Sequence, residues 1–131
     1  MEAKQIKRYI NRPIPWLIAK ATEVFNAYIR KRDENEPCIS CGSWSQRQAG
    51  HFYSGGHYPE LRFNENNVNG QCLRCNLHLS GNLIEYRKNL IKKIGIEEVE
   101  KLDQIVAITR QTGYKWDKFR LIEIIITYSN K

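Results

Sequence analysis

The chain has 131 residues and a formal charge of +7, from 21 Lys and Arg against 14 Asp and Glu. Hydrophobic residues make up 41% and charged residues 27%, which excludes wholesale disorder and leaves enough apolar surface for a real core. No apolar run approaches the roughly 18 residues of a membrane span, and Met1-Glu2-Ala3-Lys4-Gln5 lacks the apolar stretch of a secretory leader, so the expected setting is a reducing cytoplasm.

Residues 1–15 are basic and carry Pro13 and Pro15, which reads as an arm or loop. From Trp16 to about Arg32, Leu17, Ala21, Val24, Phe25 and Tyr28 recur on one helical face, and Lys31 to Glu36 form a polar exit. Ala49-Gly50-His51-Phe52-Tyr53 has the look of a strand, Ser54-Gly55-Gly56 of a turn, and Leu61-Arg62-Phe63 of a strand pairing back. Leu83, Tyr86, Arg87, Leu90, Ile91 and Ile94 mark another helix, which Gly95 ends. Glu97 to about Thr109 follows the same periodicity, with Val99, Leu102, Ile105 and Val106 inward. Asp117 is a good N-cap for a last helix through Tyr128, although Ile124-Ile125-Ile126 also suits a strand. One domain is expected over 1–131: a basic arm and helix over 1–37, a metal module over 38–94, and helices over 95–131.

The four cysteines are sharper. Cys38 and Cys41 are spaced C-x-x-C, as are Cys72 and Cys75, and none is left over. In a reducing compartment this pattern reads as a closed tetrahedral zinc site that stabilises the fold and leaves no position for catalytic water. The 30 residues from Gly42 to Gln71 exceed the simplest ribbon spacing and must hold structure of their own. A knuckle, a β-hairpin and a helix around one zinc make a treble clef. That arrangement sets His51, on the hairpin, against Asn76, just after Cys75. An imidazole opposite a metal-binding carboxamide suits phosphodiester hydrolysis with one divalent ion, magnesium or manganese.

The strings Cys38-Ile39-Ser40-Cys41-Gly42, Ala49-Gly50-His51-Phe52, Leu61 to Asn67, and Gln71-Cys72-Leu73-Arg74-Cys75-Asn76-Leu77-His78-Leu79-Ser80-Gly81-Asn82-Leu83 resemble the NinG/Rap recombination proteins of lambdoid phages. More broadly they resemble HNH, or His-Me finger, endonucleases. The resemblance covers about residues 25–100. It implies an α+β, mostly helical fold of HNH type and a metal-dependent nuclease that cuts branched DNA, such as Holliday junctions or D-loops, inside a bacterial host. It also assigns roles. His51 takes the place of the general base, Asn67 of the middle Asn that ties the loop, and Asn76 of the metal-binding residue of endonuclease VII-type resolvases. Those resolvases carry Asp immediately before the catalytic His, where this chain has Gly50. His78, Glu65 or a backbone carbonyl are the substitutes to consider, and His78 joins Asn76 at one ion only if the helix is irregular there.

Each assignment has a plainer counterpart. Asn76 suits a helix cap, Asn67 a turn, His78 packing or a phosphate contact, and His57 an exposed loop. Ser80-Gly81-Asn82 reads first as a helix stop. Arg62, Arg74, Arg87 and Lys88 are expected to meet DNA phosphates, with Lys92 and Lys93 close by. Between Cys38 and Lys93 seven basic residues face three acidic ones, an excess of +4 centred on the module. The alternatives to a nuclease are a non-catalytic zinc-stabilised DNA-binding module of the same fold and a zinc-stabilised protein adaptor. A homodimer through the apolar C-terminal segment is the expectation that paired cuts would bring.

Overall fold

The computed structural model describes every residue except Gln46. It is mixed α+β and mostly helical: α1 (Ala3–Tyr9), α2 (Ile14–Arg32), β1 (Arg47–His51), β2 (Val68–Cys72), α3 (Leu83–Ile94), α4 (Ile96–Thr112) and α5 (Lys118–Ser129). A short 3-10 turn lies at Pro59–Leu61 and a π-helical turn at Arg74–His78. Among the described residues no helix is long and apolar enough to cross a membrane. The chain packs as two compact units, one of Met1–Tyr28 with Lys115–Lys131, the other of Ile29–Tyr114.

In the first unit the expected N-terminal arm is instead helical over α1, whose Glu2 and Gln5 form a reciprocal capping box. Ile14 and Pro15 open α2, where a missing proline N–H costs nothing. Leu17, Ala21 and Phe25 are buried, as their spacing requires. Asp117 caps α5 by accepting from Phe119 N–H at 2.7 Å. The isoleucine run is therefore helical, not a strand, and Ile124 and Ile125 are buried. The Phe25 and Tyr128 rings meet edge to face at 4.8 Å.

The second unit is built around the antiparallel pair of β1 and β2, in register from Arg47 opposite Cys72 to His51 opposite Val68. The return strand is thus not Leu61-Arg62-Phe63: Leu61 is buried in the 3-10 turn. Every residue of β2 is buried, so it lacks the alternation by which a half-exposed strand announces itself. One face of α3 and α4 covers the loop before β2. Ile39, Leu61, Tyr86, Leu90, Val99, Leu102 and Val106 form this core.

At the end of α2 the buried Asp33 joins three elements. It accepts from Gly70 N–H at 2.8 Å and pairs with Arg32 at 2.9 Å and Lys93 at 3.3 Å. Burial alone would raise its carboxyl; the Arg32 guanidinium, the Gly70 N–H and the Lys93 charge outweigh it and hold the group below its usual range. Arg32 also donates to the carbonyls of Glu65 and Val68, which fixes the entry to β2.

Candidate metal centre and adjoining histidine site

The ligand sulfurs of Cys38, Cys41, Cys72 and Cys75 all lie within 4.8 Å of one another. Cys41 Sγ and Cys72 Sγ are 3.7 Å apart, and tetrahedral Zn–S bonds of about 2.3 Å place sulfurs about 3.8 Å apart. Local backbone geometry builds each half. Gly42 adopts φ +77°, closing the first turn as its N–H reaches Cys38 O at 2.9 Å. The strand register then delivers Cys72 to that turn, where Cys72 N–H donates to Cys38 Sγ at 3.3 Å and Cys75 N–H to Cys72 Sγ at 3.4 Å. The thiols differ in proton affinity. Although burial opposes it, donation to Cys72 from its neighbours, Cys75 N–H first, lowers its pKa, whereas burial raises that of Cys75. The four residues fit a structural zinc: soft donors only, at the right span, with N–H groups aimed at sulfur.

His51 ends β1 on the other side of the same hairpin. Its ring is half-buried and its Nε2 lies 2.9 Å from the carbonyl of Arg62. A carbonyl only accepts, so Nε2 carries the proton and Nδ1 holds the lone pair. Burial lowers the imidazole pKa first; the Arg62 carbonyl opposes this and the Arg62 charge adds to it. His51 is therefore neutral at pH 7, the form that accepts a proton.

The loop that supplies the Arg62 carbonyl is held by Asn67, which is fully buried. Its Oδ1 accepts from Tyr53 N–H at 2.8 Å, and its Nδ2 donates to Tyr53 O at 2.9 Å and Leu61 O at 3.0 Å. Asn67 thus fastens residues 53 and 61 together and has no polar atom directed at solvent.

Asn76 lies in the π-helical turn, where Leu79 N–H reaches back five residues to Arg74 O at 2.9 Å. Its Nδ2 donates to Gln48 Oε1 at 2.7 Å. Gln48 and His51 lie at opposite parity on β1, so regular pleating directs them to opposite faces. Among the described residues no hydrogen bond joins His51 to Asn76. His78, two positions on, is exposed, as is Arg74. Ser80, Gly81 and Asn82 then adopt positive φ in succession, +49°, +93° and +43°, and turn the chain into α3. That left-handed run is the helix stop expected of these residues, and Asn82 Nδ2 reaches Cys75 Sγ at 3.6 Å.

Gly50 is explained by a residue the sequence did not single out. A Cβ on Gly50 would lie 1.9 Å from Gln71 Oε1. Gln71 is fully buried and donates through Nε2 to Gly81 O at 2.6 Å and Ser40 Oγ at 2.8 Å. Its Oε1 has no hydrogen-bond partner. The space that a carboxylate at position 50 would enter therefore holds a carboxamide oxygen instead. Gln71 carries no motif signal; only the strand register reveals it.

The basic residues divide. Arg87 makes a two-pronged contact with Asp103 at 2.9 and 3.3 Å and lies over the Phe52 ring at 5.9 Å. Lys88 is exposed and pairs with Glu85 at 3.3 Å. Arg62 is half-buried near Phe63, with its aliphatic stem 3.1 Å from where a Cβ on Gly55 would sit. His57 is exposed and bonded to Ser54.

The model of one protein family, described as bacteriophage lambda NinG protein, matches residues 2–131. The chain is 44% identical over 101 residues to protein ninG of Escherichia phage lambda, and 43% identical over the same length to those of Escherichia phage 933W and Salmonella phage P22. Each match covers 76% of this chain and 50% of the relative, so the chain spans about half the length of the curated relatives it matches. No solved structure matches it. Matched along nearly its whole length by that family's model, and 44% identical over 101 residues to a phage relative, the chain belongs to the NinG family.

Proposed function

We propose that the chain is a metal-dependent, structure-selective DNA endonuclease of HNH type, built on a treble-clef zinc module and cutting branched recombination intermediates such as Holliday junctions. The observation that carries this reading is His51: a neutral imidazole at a strand end, with one nitrogen spent on a backbone carbonyl and the other left to accept a proton. His51 Nδ1 takes the proton of a water attacking the scissile phosphate, and Asn67 keeps the Arg62 carbonyl where it fixes the ring. The resemblance assigns a magnesium or manganese ion to Asn76, but Asn76 is bonded to Gln48 on the strand face opposite His51 and Gln71 Oε1 is buried, so an ion acting beside His51 would need donors other than these two. Such an ion, when bound, neutralises charge developing on the phosphate and leaving oxygen. The zinc holds the hairpin to the π-helical turn and does no chemistry. Arg74 and Lys88, both exposed, meet phosphates, and the half-buried Arg62 and Arg87 contribute less to that contact. Two symmetric cuts in a junction call for a dimer; Ile124 and Ile125, being buried, are not its seam.

A four-way junction incubated with the zinc-loaded protein and magnesium should be cleaved, and His51→Ala should abolish cleavage while binding persists. A second reading, a zinc-stabilised DNA-binding module without catalysis, is favoured by Gln71 filling the place of a carboxylate at Gly50. Junction binding with no cleavage under magnesium or manganese would establish it.

A further inference from the structure

A cavity of about 590 Å³ adjoins His51, outside the zinc cluster. Its walls are apolar and aromatic: Phe52, Tyr53 and Tyr58 on one side, Leu83, Ile84 and Ile91 on the other, with Arg87 and Lys88 also lining it. The aromatic wall is a staircase, with Phe52 and Tyr53 centroids 5.1 Å apart and Tyr53 and Tyr58 4.9 Å apart, each pair steeply tilted. Asp103 braces it from behind, accepting from Tyr53 Oη and from Arg87. Opposite, Leu83 and Ile84 are exposed, Ile84 at 76%. A core has no use for an isoleucine so placed.

We propose that this cavity receives a nucleobase unstacked from the strand whose phosphate His51 faces, and that the pocket is what favours branched or unpaired DNA over duplex. The inference rests on the nuclease reading above. Four observations choose the occupant. Every base presents an apolar π-face of the kind an aromatic wall recognises without sequence preference. A cavity of this size lies within the range that encloses one small planar ligand. The local basic excess suits the phosphate that accompanies the base. The cavity includes the imidazole itself, so its occupant is a neighbour of the reacting group. A paired base is hidden inside the helix. Extruding it is costly, and the cost is least where the base is already unpaired, as at a junction or bulge. Exposed Leu83 and Ile84 form the lip over which the base leaves the stack, as aliphatic wedges do between base steps.

The test uses the full zinc-loaded chain without magnesium and a bulged hairpin carrying 2-aminopurine at the unpaired position. Binding should lower its emission about twofold or more through stacking on the aromatic wall, whereas 2-aminopurine in a paired duplex should not respond. Ile84→Glu should abolish the response and cut the preference for bulged over paired DNA about tenfold, and Ile108→Glu, the same charge change at an exposed site outside the cavity, should leave both intact. An unchanged emission in the bound wild-type complex would overturn the proposal, as would equal effects of the two variants or an absence of DNA binding. Adding magnesium separates the two readings. Lowered emission without cleavage supports the pocket and removes the hydrolytic step, whereas cleavage without an emission change removes the pocket alone.

Discussion

His51, at the end of β1, and Asn67, just before β2, differ in where their side chains are spent, and their variants should separate a catalytic from a structural role. His51 presents a free ring nitrogen, whereas Asn67 spends its whole side chain inward. His51→Ala should therefore lower cleavage about 10²–10⁴-fold with little change in urea midpoint. Asn67→Ala should instead cost about 3 kcal/mol of stability, because Tyr53 N–H and the carbonyls of Tyr53 and Leu61 lose their partner together. Urea unfolding of both proteins reads the difference directly. The pH dependence follows from the depressed His51 pKa. Its folded value lies below the ordinary value of about 6.5, so the neutral base persists to lower pH than a free imidazole would. The acid limb of kcat/KM should lie below pH 6.5 and move up if Arg62 is neutralised by Arg62→Gln. The same shift makes the fold lose stability as pH falls from about 6.5 toward the folded value of His51, because the unfolded chain binds the extra proton there.

Elements were legible where a periodic face or a cap announced them. The helices from Ile14, Leu83, Ile96 and Lys118 followed the apolar spacing and the capping residue Asp117. The missed return strand has a physical cause: burial on both faces erases its periodicity. Val68-Asn69-Gly70-Gln71-Cys72, which the apolar pattern did not mark as a strand, is a wholly buried one: the side-chain N–H groups of Asn69 and Gln71 reach Tyr86, Ser40 and the Gly81 carbonyl, and Gly70 N–H reaches Asp33. The cysteine cluster was legible from spacing alone, whereas Gln71 beside Gly50 was not, since it depends on the register between β1 and β2. Asp33 shows what this junction of elements is worth. Asp33→Ala would leave Arg32 and Lys93 without their shared carboxylate and Gly70 N–H without an acceptor. A loss of about 3 kcal/mol is expected, moderated because both cations are partly exposed. The carboxylate's contribution is full above its ordinary range near pH 4 and disappears as pH falls through its depressed folded value. Thermal unfolding from pH 7 to pH 3 should show the wild type converging on the variant.

At the scale of the molecule, charge and metal set separable requirements. With zinc on the four cysteines, chelation should free the exposed Cys41 turn from the end of β2, while Ile39 and Ser40 stay bonded to Gly70 and Gln71. DNA binding should then fail without loss of net charge. With zinc in place, affinity should follow counterion release. The chain carries +7, but only cations free to leave their protein partners count toward the slope of log affinity against log salt. Arg87 is held by Asp103 at two oxygens, so Arg87→Gln should change that slope little while loosening Tyr53 and Phe52. Arg74 is exposed, and Lys88 has only the exposed Glu85 beside it, a weak competitor. Arg74→Gln and Lys88→Gln should each reduce the slope by about one phosphate contact, on duplex and junction alike, because a phosphate contact carries no structural selectivity. Titrations at several salt concentrations measure this. A slope unmoved by both variants would shift the DNA path away from the π-helical turn and α3, and with it the surface on which His51 meets a backbone.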